Sequence, residues 1–447
     1  MFRKSLFILF LLCIFSLKLF GQTINLEEVR TLALLNSRSL ARSSLAIRNS
    51  LLEERNQFFS LLPSVSLNYS AGASYLDSEW NFVSPQDTFS SRAELDISYR
   101  IFDGGRRLLQ RELSEISTES VRRDALAEYF NVLDAVDNAY YAVLEAAANL
   151  EAEESSLQTA IFSLTMAEIR QASGMINRGE YLRALADMEQ RENSRNQARR
   201  NLALNITRLN SLIGIPGSFP ELQAIDLTVY DALIQHLAGI NDDEIYDLYQ
   251  RLWLIVSTSN PSLARAALNS QRAEINHSLI GRDFVPVINA NIFSYSLNYS
   301  QMNGFSTAPR GSISISGTIP IDFWVLNNRL ERSRNNIESE AMNFANMQIN
   351  MEIDLYSSLL NLVGLAGSVI SSRRTLDYVE MNFEFVLERY RLLQSSISEM
   401  QDASTMLINN QNSYNRSVYG FLQSLSRLRS MGAFEDENRM MEILLGR

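Results

Sequence analysis

The side chains able to do chemistry are few and scattered. His236 and His277 lie far apart, with no cysteine near either and no metal-ligand spacing, so surface or packing roles outweigh catalysis. The single cysteine, Cys13, sits in an apolar N-terminal run, and Leu11 and Leu12 before it lack the small residues that lipid attachment requires. Asp103-Gly104-Gly105-Arg106 follows a strand pattern and opens a helix pattern, which superficially suits a phosphate. The other glycines and the Lys-Ser/Thr of phosphate loops are missing, and a tight strand-to-helix turn accounts for it better. Glu399 and Asp402, spaced by three, share one helical face. Alone such a pair is usually a solvated face. Repeated around an axis by several chains it would make an acidic ring that favours cations. No catalytic residue, cofactor or metal is expected.

The elements that position these carboxylates begin after residue 21. Arg3 and Lys4, the apolar run Leu6 to Leu17 and the end near Phe20-Gly21 have the layout of a secretory signal peptide, assigned to residues 1–21. Its loss removes Cys13, so the remaining chain has no thiol for disulfides or metals. It also takes the formal charge from −11 to about −14, a balance that excludes nucleic acid as the main partner. With 46% hydrophobic residues but only 18 Gly and 8 Pro in 447 residues, a few long elements are expected. Beyond the signal no run reaches the roughly 18 uninterrupted apolar residues of a spanning helix, so any membrane crossing would be made by strands.

The chain is internally duplicated. One constant shift carries Ser39-Leu40-Ala41-Arg42 onto Ser262-Leu263-Ala264-Arg265, Leu45 onto Leu268, and Leu62-Pro63 onto Val285-Pro286. After each proline the pattern changes to period two. Val65, Leu67, Tyr69, Ala71, Ala73 and Tyr75 alternate with small polar residues, and Leu95, Ile97, Tyr99 and Ile101 alternate in a return strand, which makes a hairpin over 64–102. The second hairpin spans 287–321; its first strand changes phase near Ile292, where a bulge would restore the facing.

Between Arg106 and Ser173 no Pro or Gly intervenes, and Tyr129, Val136, Val143, Leu150, Leu157 and Leu164 recur every seven residues as a coiled-coil seam accompanied by Ala139, Ala146, Ala160 and Ala167. At 1.5 Å per residue this is a rod of about 100 Å, and Arg329 to Leu393 is nearly as long. Shorter helices over Leu26 to Leu62, Glu180 to Leu212, Asp243 to Phe284 and Glu399 to Met431 would stack end to end beside the rods. The organisation is therefore a first repeat at 22–214, a Pro- and Gly-bearing connector at 215–242, a second repeat at 243–432 and a tail at 433–447.

Two hairpins supply four strands, whose open edges lipid would not tolerate, so the chain must join others to close a barrel. Dimerisation gives about eight strands and a filled interior; a trimer gives about twelve and room for a lumen. Tyr75 and Trp80 at one end of the strands, and Phe102, Phe323 and Trp324 at the other, would suit interfacial belts. A non-conducting exported coiled-coil scaffold or adhesin is the alternative, but it leaves the duplicated hairpins unexplained.

The mature chain resembles the TolC-like outer-membrane factor family through Ile24-Asn25-Leu26-Glu27-Glu28 with Ala33-Leu34, Ile101-Phe102-Asp103-Gly104-Gly105-Arg106, and Leu209 to Pro216. The resemblance implies a mainly α fold with a membrane β-barrel portion: a long α-helical coiled-coil barrel plus four strands per chain, a homotrimer closing a twelve-stranded barrel in the outer membrane. It implies export of small molecules or proteins across periplasm and outer membrane, in a tripartite efflux or type I secretion system. The implied partners are outer-membrane lipid, a periplasmic adaptor (membrane-fusion) protein and an inner-membrane pump of RND, ABC or MFS type. In the family each half turns at the periplasmic tip through a glycine and then an acidic-apolar-apolar-x-Ala pattern. Gly174 with Glu180-Tyr181-Leu182-Arg183-Ala184 resembles it, and Glu399-Met400-Gln401-Asp402-Ala403 is its second-half counterpart, with Leu393 where the glycine stands. Glu180, Glu399 and Asp402 are thereby candidate pore-entrance acids, Arg183 and Tyr390 candidate gate contacts, and Gly174, Met175, Ile176, Asn177, Ser395, Ser396 and Ile397 the candidate adaptor-contact tip.

Overall fold

A computed structural model describes residues 23–74, 88–215, 221–300, 304–306, 313–319, 321 and 323–446. The expected signal peptide, Tyr75, Trp80 and the connector prolines lie outside these residues. In chain order the elements are α1 (Leu26–Asn36), α2 (Arg38–Phe59), β1 (Ser64–Ser74), β2 (Thr88–Phe102), α3 (Arg106–Ala172), α4 (Arg178–Ile213), α5 (Thr228–Gly239), α6 (Asp242–Ser259), α7 (Pro261–Gly281), β3 (Val287–Ser300), β4 (Gly304–Ser306), β5 (Ser314–Thr318), α8 (Phe323–Arg391), α9 (Ile397–Gly432) and α10 (Glu437–Leu444). They form two compact units. One holds the chain up to Arg42, Leu126–Pro261 and everything from Gln348; the other holds Ser43–Ala125 and Ser262–Met347.

The first unit is helical. Its core joins Val29 and Ala33 of α1, Val136 and Tyr140 of α3, Leu209 and Ile213 of α4, Leu252 and Val256 of α6, Leu355, Leu359 and Leu362 of α8, and Phe421 and Leu425 of α9. Both repeats open on the same device, an Asn cap whose side chain accepts from the third helical N–H while a Glu reaches back: Asn25 with Glu28, and Asn241 with Glu244. The expected helix over 26–62 is broken at Ser37 and that over 243–284 at Asn260, both extended at ψ near 120°. Pro261 enforces the second break, because the residue before proline leaves the helical region and proline suits a first helical position. At each break an amide closes the end of the helix packed beside it. Asn36 Nδ2 donates to Ile213 O (2.7 Å), and Asn260 Nδ2 donates to Met431 O (2.8 Å).

Two segments in which the sequence pattern marks no helix, the connector and the tail, carry one each. The connector contains α5, which buries Leu233, Ile234 and Leu237, and the tail contains α10, which buries Met440 and Leu444. Each gains its helix from an apolar face covered by the bundle, as marginal helices do. Ile24 pairs with the connector, donating to Glu221 O and accepting from Gln223 N, and Tyr140 OH donates to Gln223 O (2.6 Å). Burial pushes that phenol up to about 12.

Beneath α10 lies an ionic node. Asp137 of α3 is fully buried and accepts from Arg30 Nε (2.6 Å) and Nη2 (2.7 Å) and from Ser426 Oγ (2.9 Å). Arg30 and Arg429 also face Glu437 of α10 at 3.4 and 3.6 Å, and Tyr230 OH donates to Glu437 (3.1 Å). Burial works against the charge of Arg30, and Asp137 more than reverses this, so its pKa is raised.

The heptad seam of α3 differs in detail from expectation. Leu150, Leu157 and Leu164 are half-buried, whereas Ala152, Ser156, Ala160, Ser163 and Ala167 are buried. Small residues let backbones approach until they are covered, leaving the leucines to flank the contact.

The second unit carries the sheet, in the order β1-β2-β3 with β4 and β5 both on β3. All pairings are antiparallel. The expected bulge is present: Ile97 faces Phe293 and Ser98 faces Asn291, so Ile292 is the extra residue. One face of the first hairpin is polar and internally bonded, with Ser64 Oγ to Ser98 Oγ at 2.7 Å and Asn68 Nδ2 to Asp96 Oδ2 at 3.1 Å. On the other face Val65, Leu67 and Tyr69 are exposed, as is Ile315 of β5.

The sheet leaves through Asp103-Gly104-Gly105-Arg106. Gly104 has φ +65°, and a Cβ there would lie 2.8 Å from Val285. Asp103 caps the start of α3, accepting from Gly105 N (3.1 Å) and Arg107 Nε (2.8 Å). This is the strand-to-helix turn expected from the sequence. At the second exit α8 begins at Phe323, six residues before the expected Arg329, because Leu326 is buried and the Phe323 ring stacks on Phe284 at 6.3 Å. His277 Nδ1 bonds Ser333 Oγ (2.6 Å), a packing role, and His236 is exposed.

Candidate functional site

The candidate residues gather at two turns of the helical unit, the α3–α4 turn at 173–177 and the α8–α9 turn at 392–396. Both are built alike. Met175 N donates to Arg170 O (2.8 Å) and Gly174 N to Gln171 O (3.0 Å); Gln394 N donates to Arg389 O (2.8 Å) and Leu393 N to Tyr390 O (3.2 Å). This paired closure requires a left-handed residue, which is Gly174 at φ 71° and Leu393 at φ 64°. Leu393 therefore takes the glycine's conformation as well as its position.

Each turn ends in a helix cap that uses one of the candidate acids. Asn177 Oδ1 accepts from Glu180 N (3.0 Å), and Asn177 Nδ2 donates to Glu180 Oε1 (3.2 Å). Ser396 Oγ accepts from Glu399 N (3.1 Å), while Glu399 Oε2 accepts from Ser396 N (3.3 Å). A carboxylate in the first turn is stabilised by unpaired helix N–H groups, so both glutamates have a local structural role. Asp402 lies one turn further along α9, exposed.

The two turns share a small core. Ala167, Ala184, Tyr390, Ile397 and Met400 are buried together, with Phe162, Ile176, Tyr181 and Val386 around them. Tyr390 is fully covered: its OH donates to Ser163 O (3.2 Å), and the Phe162 ring meets it edge-on at 6.4 Å. Its side chain is engaged within its own protomer. Arg183 bonds Ser398 through Nη1 and its carbonyl accepts from Gln401 Nε2 (3.4 Å), so it also links the two turns.

Of the candidate tip residues, Gly174, Met175, Asn177 and Ser396 are exposed, Ile176 is half-buried, and Ser395 and Ile397 are buried. Sequence reasoning missed Arg170. This residue is buried, donates to Tyr390 O (2.6 Å) and Ser395 O (3.4 Å), and lays its guanidinium 4.3 Å over the Tyr390 ring. The signal was available: Arg170 follows Ala167 by three, a charge on the buried seam.

No cluster of His, Cys, Asp or Glu able to hold a metal occurs among the described residues. The arrangement offers instead two matched, exposed turns with carboxylates fixed behind them.

The family model described as outer membrane efflux protein matches residues 29–215. No curated protein sequence matches the chain. Several solved structures share its fold. The CmeC outer membrane channel of Campylobacter jejuni superposes with a TM-score of 0.74 at 15% identity, covering 94% of this chain and 89% of that one. VceC of Vibrio cholerae gives 0.71 at 15% identity over 91% and 96% of the two chains. The MtrE outer membrane channel of Neisseria gonorrhoeae, solved in its open state, gives 0.68 at 16% over 91% and 88%.

Proposed function

We infer, from the match of residues 29–215 to the outer membrane efflux protein family, that the chain is one protomer of a channel-tunnel exporting solutes across the periplasm and outer membrane. The observation that carries this reading is the antiparallel sheet of the second unit. One of its faces exposes Val65, Leu67, Tyr69 and Ile315, the other pairs serines, Asn68 and Asp96, and among the described residues β1 pairs only with β2. An apolar face toward lipid and a polar face toward water is what a membrane barrel requires, and open edges require further copies. A trimer closes about twelve strands around a lumen. Exposed Ile349, Ile353, Tyr356 and Leu360 on α8 support the same assembly, since they offer apolar surface to a neighbouring protomer. One stretch of α8 is apolar enough on average to rank as a membrane-span candidate, but Leu355, Leu359 and Leu362 on it belong to the helical core, which favours a bundle role.

The repeats at 22–214 and 243–432, with a signal at 1–21, belong to this reading. So does a tip at Gly174, Met175, Asn177 and Ser396 that meets a periplasmic adaptor, linking the channel to an inner-membrane pump of RND, ABC or MFS type. Glu180, Glu399 and Asp402 would line the pore entrance, and Arg183 would help to hold it shut. The test is reconstitution into planar bilayers. A channel conducts and resists carbonate extraction, whereas an exported scaffold or adhesin gives no conductance and extracts without detergent.

A further inference from the structure

The duplication supplies an internal control on how the tips are held. Helices α3, α4, α8 and α9 each end at a left-handed residue: Gly174, Gly214, Leu393 and Ala433. In the first repeat both are glycine. In the second both carry a Cβ, for which this conformation is unfavourable. Each of these two is supported by an arginine four residues earlier, folded onto the carbonyls beyond the turn. Arg389 Nη2 donates to Gln394 O (2.9 Å), and Arg429 donates from Nε to Phe434 O (3.2 Å) and from Nη2 to Glu435 O (3.4 Å).

Arg170 stands in the same place relative to Gly174, yet its terminal nitrogens reach across to the other tip turn, at Tyr390 O and Ser395 O. The strained turn at Leu393 thus receives two arginines, one of them released by the turn that has a glycine. Arg170 is 6% exposed, and its Nε has no hydrogen-bond partner among the described residues. Burying a guanidinium with a nitrogen unbonded is costly, so its placement is set by what its other nitrogens hold.

We propose that Arg170 is a positioning residue of the channel gate: a strut from the end of α3 that holds the α8–α9 turn in its left-handed geometry. The second tip cannot unwind or shift without withdrawing Arg170 from its two carbonyls, so the two turns move together. The gate assignment rests on the channel reading given above; the strut itself does not.

The experiment compares full-length Arg170→Gln and Arg170→Lys, each with and without Leu393→Gly, by hydrogen exchange at the Leu393 and Gln394 amides and by bilayer conductance. Arg170→Gln should speed exchange at those amides at least tenfold and raise basal conductance several-fold, with Arg170→Lys intermediate. Leu393→Gly should remove most of both effects, because a glycine turn needs no clamp. Should Arg170→Gln fail to assemble, Arg170→Lys carries the same comparison. An equal effect in both backgrounds would mean that Arg170 only fills space, and the strut is overturned. Coupled exchange with unchanged conductance overturns its assignment to the gate. A parent protein that never conducts overturns the channel reading and the gate assignment with it, while the exchange data still decide the strut.

Discussion

Removing the Asp137 carboxylate should unlock α1 and α10 from the helical unit while leaving the rest of it folded. Asp137→Ala deletes both partners of the Arg30 bidentate pair and the acceptor of Ser426, and strands a guanidinium that is nearly sealed from solvent. Breaking a buried pair from one side costs about 3–5 kcal/mol. The low end applies here. Glu437 remains 3.4 Å from Arg30, but Glu27 is mostly exposed and its attraction is weakened by solvent. About 3 kcal/mol is roughly two powers of ten in a local opening equilibrium. Asp137→Asn keeps the volume and one acceptor, and should cost about half as much. The pair Arg30→Met with Asp137→Leu should cost least, because no charge is left buried. The measurement is native-state hydrogen exchange on the detergent-solubilised protein, following peptides of α1 and α10, with α4 as internal reference. Less than a tenfold change in α1 and α10 for Asp137→Ala, or a double variant as damaging as the single one, would refute the assignment of this node as their anchor.

Gly104→Ala should destabilise the sheet-to-helix junction by about 2–4 kcal/mol, from a left-handed φ plus a Cβ forced against Val285; Gly105→Ala, with open space around it, should cost about 1. Thermal unfolding reads both, and Val285→Ala should relieve only the first, and only in part, because its own Cβ stays 2.8 Å from the new one. Burial raises the pKa of Asp134, whose Oδ1 has no hydrogen-bond partner among the described residues. A carboxyl raised on folding favours the native state below its unfolded pKa and loses that contribution as pH rises through the folded value. Asp134→Asn should therefore raise the melting temperature at neutral pH, with the gain vanishing below about pH 4; a gain independent of pH would discount the carboxyl. Glu399→Gln with Asp402→Asn should lower cation selectivity in single-channel recordings, with Asp402→Asn responsible for most of it, since Glu399 is partly engaged by Ser396. Unchanged selectivity would remove both from the pore.

The architecture was legible wherever a signal repeats. Period-two strands, the bulge at Ile292, the Gly-Gly turn and the long α3 all follow from local pattern, because strand alternation and a helix without Pro or Gly are properties of the segment itself. The helix breaks needed more. Asn260-Pro261 announces one of them through the proline alone, and the constant shift carries it onto Ser37-Arg38, so the duplication held the information that Ser37 by itself does not. Helices α5 and α10 were missed because each is short and acquires stability from the surface that covers Leu233, Leu237, Met440 and Leu444. The seam was read in part: Val136, Val143 and the accompanying Ala146, Ala160 and Ala167 are buried as expected, while Leu150, Leu157 and Leu164 flank the contact because alanine and serine set how closely backbones meet.

The tip acids expose the limit of sequence at a functional site. Asn177 with Glu180 and Ser396 with Glu399 fit the pattern that starts any well-capped helix; in the structure Glu399 closes the box on the Ser396 backbone, while Glu180 holds the Asn177 side-chain amide. Capping and pore lining ask for the same residue types at the same spacing, so their presence cannot separate the two roles. Geometry begins to separate them, because a capping glutamate is held against its own helix end while Asp402 is not. Arg170 is the reverse case. No motif marks it, yet an arginine on a seam of alanines and serines has to be answered by acceptors somewhere, and here they are the carbonyls of a turn that has lost its glycine. A charge where packing calls for a small side chain carries more information about how these two turns are held than the acids that resemble a motif.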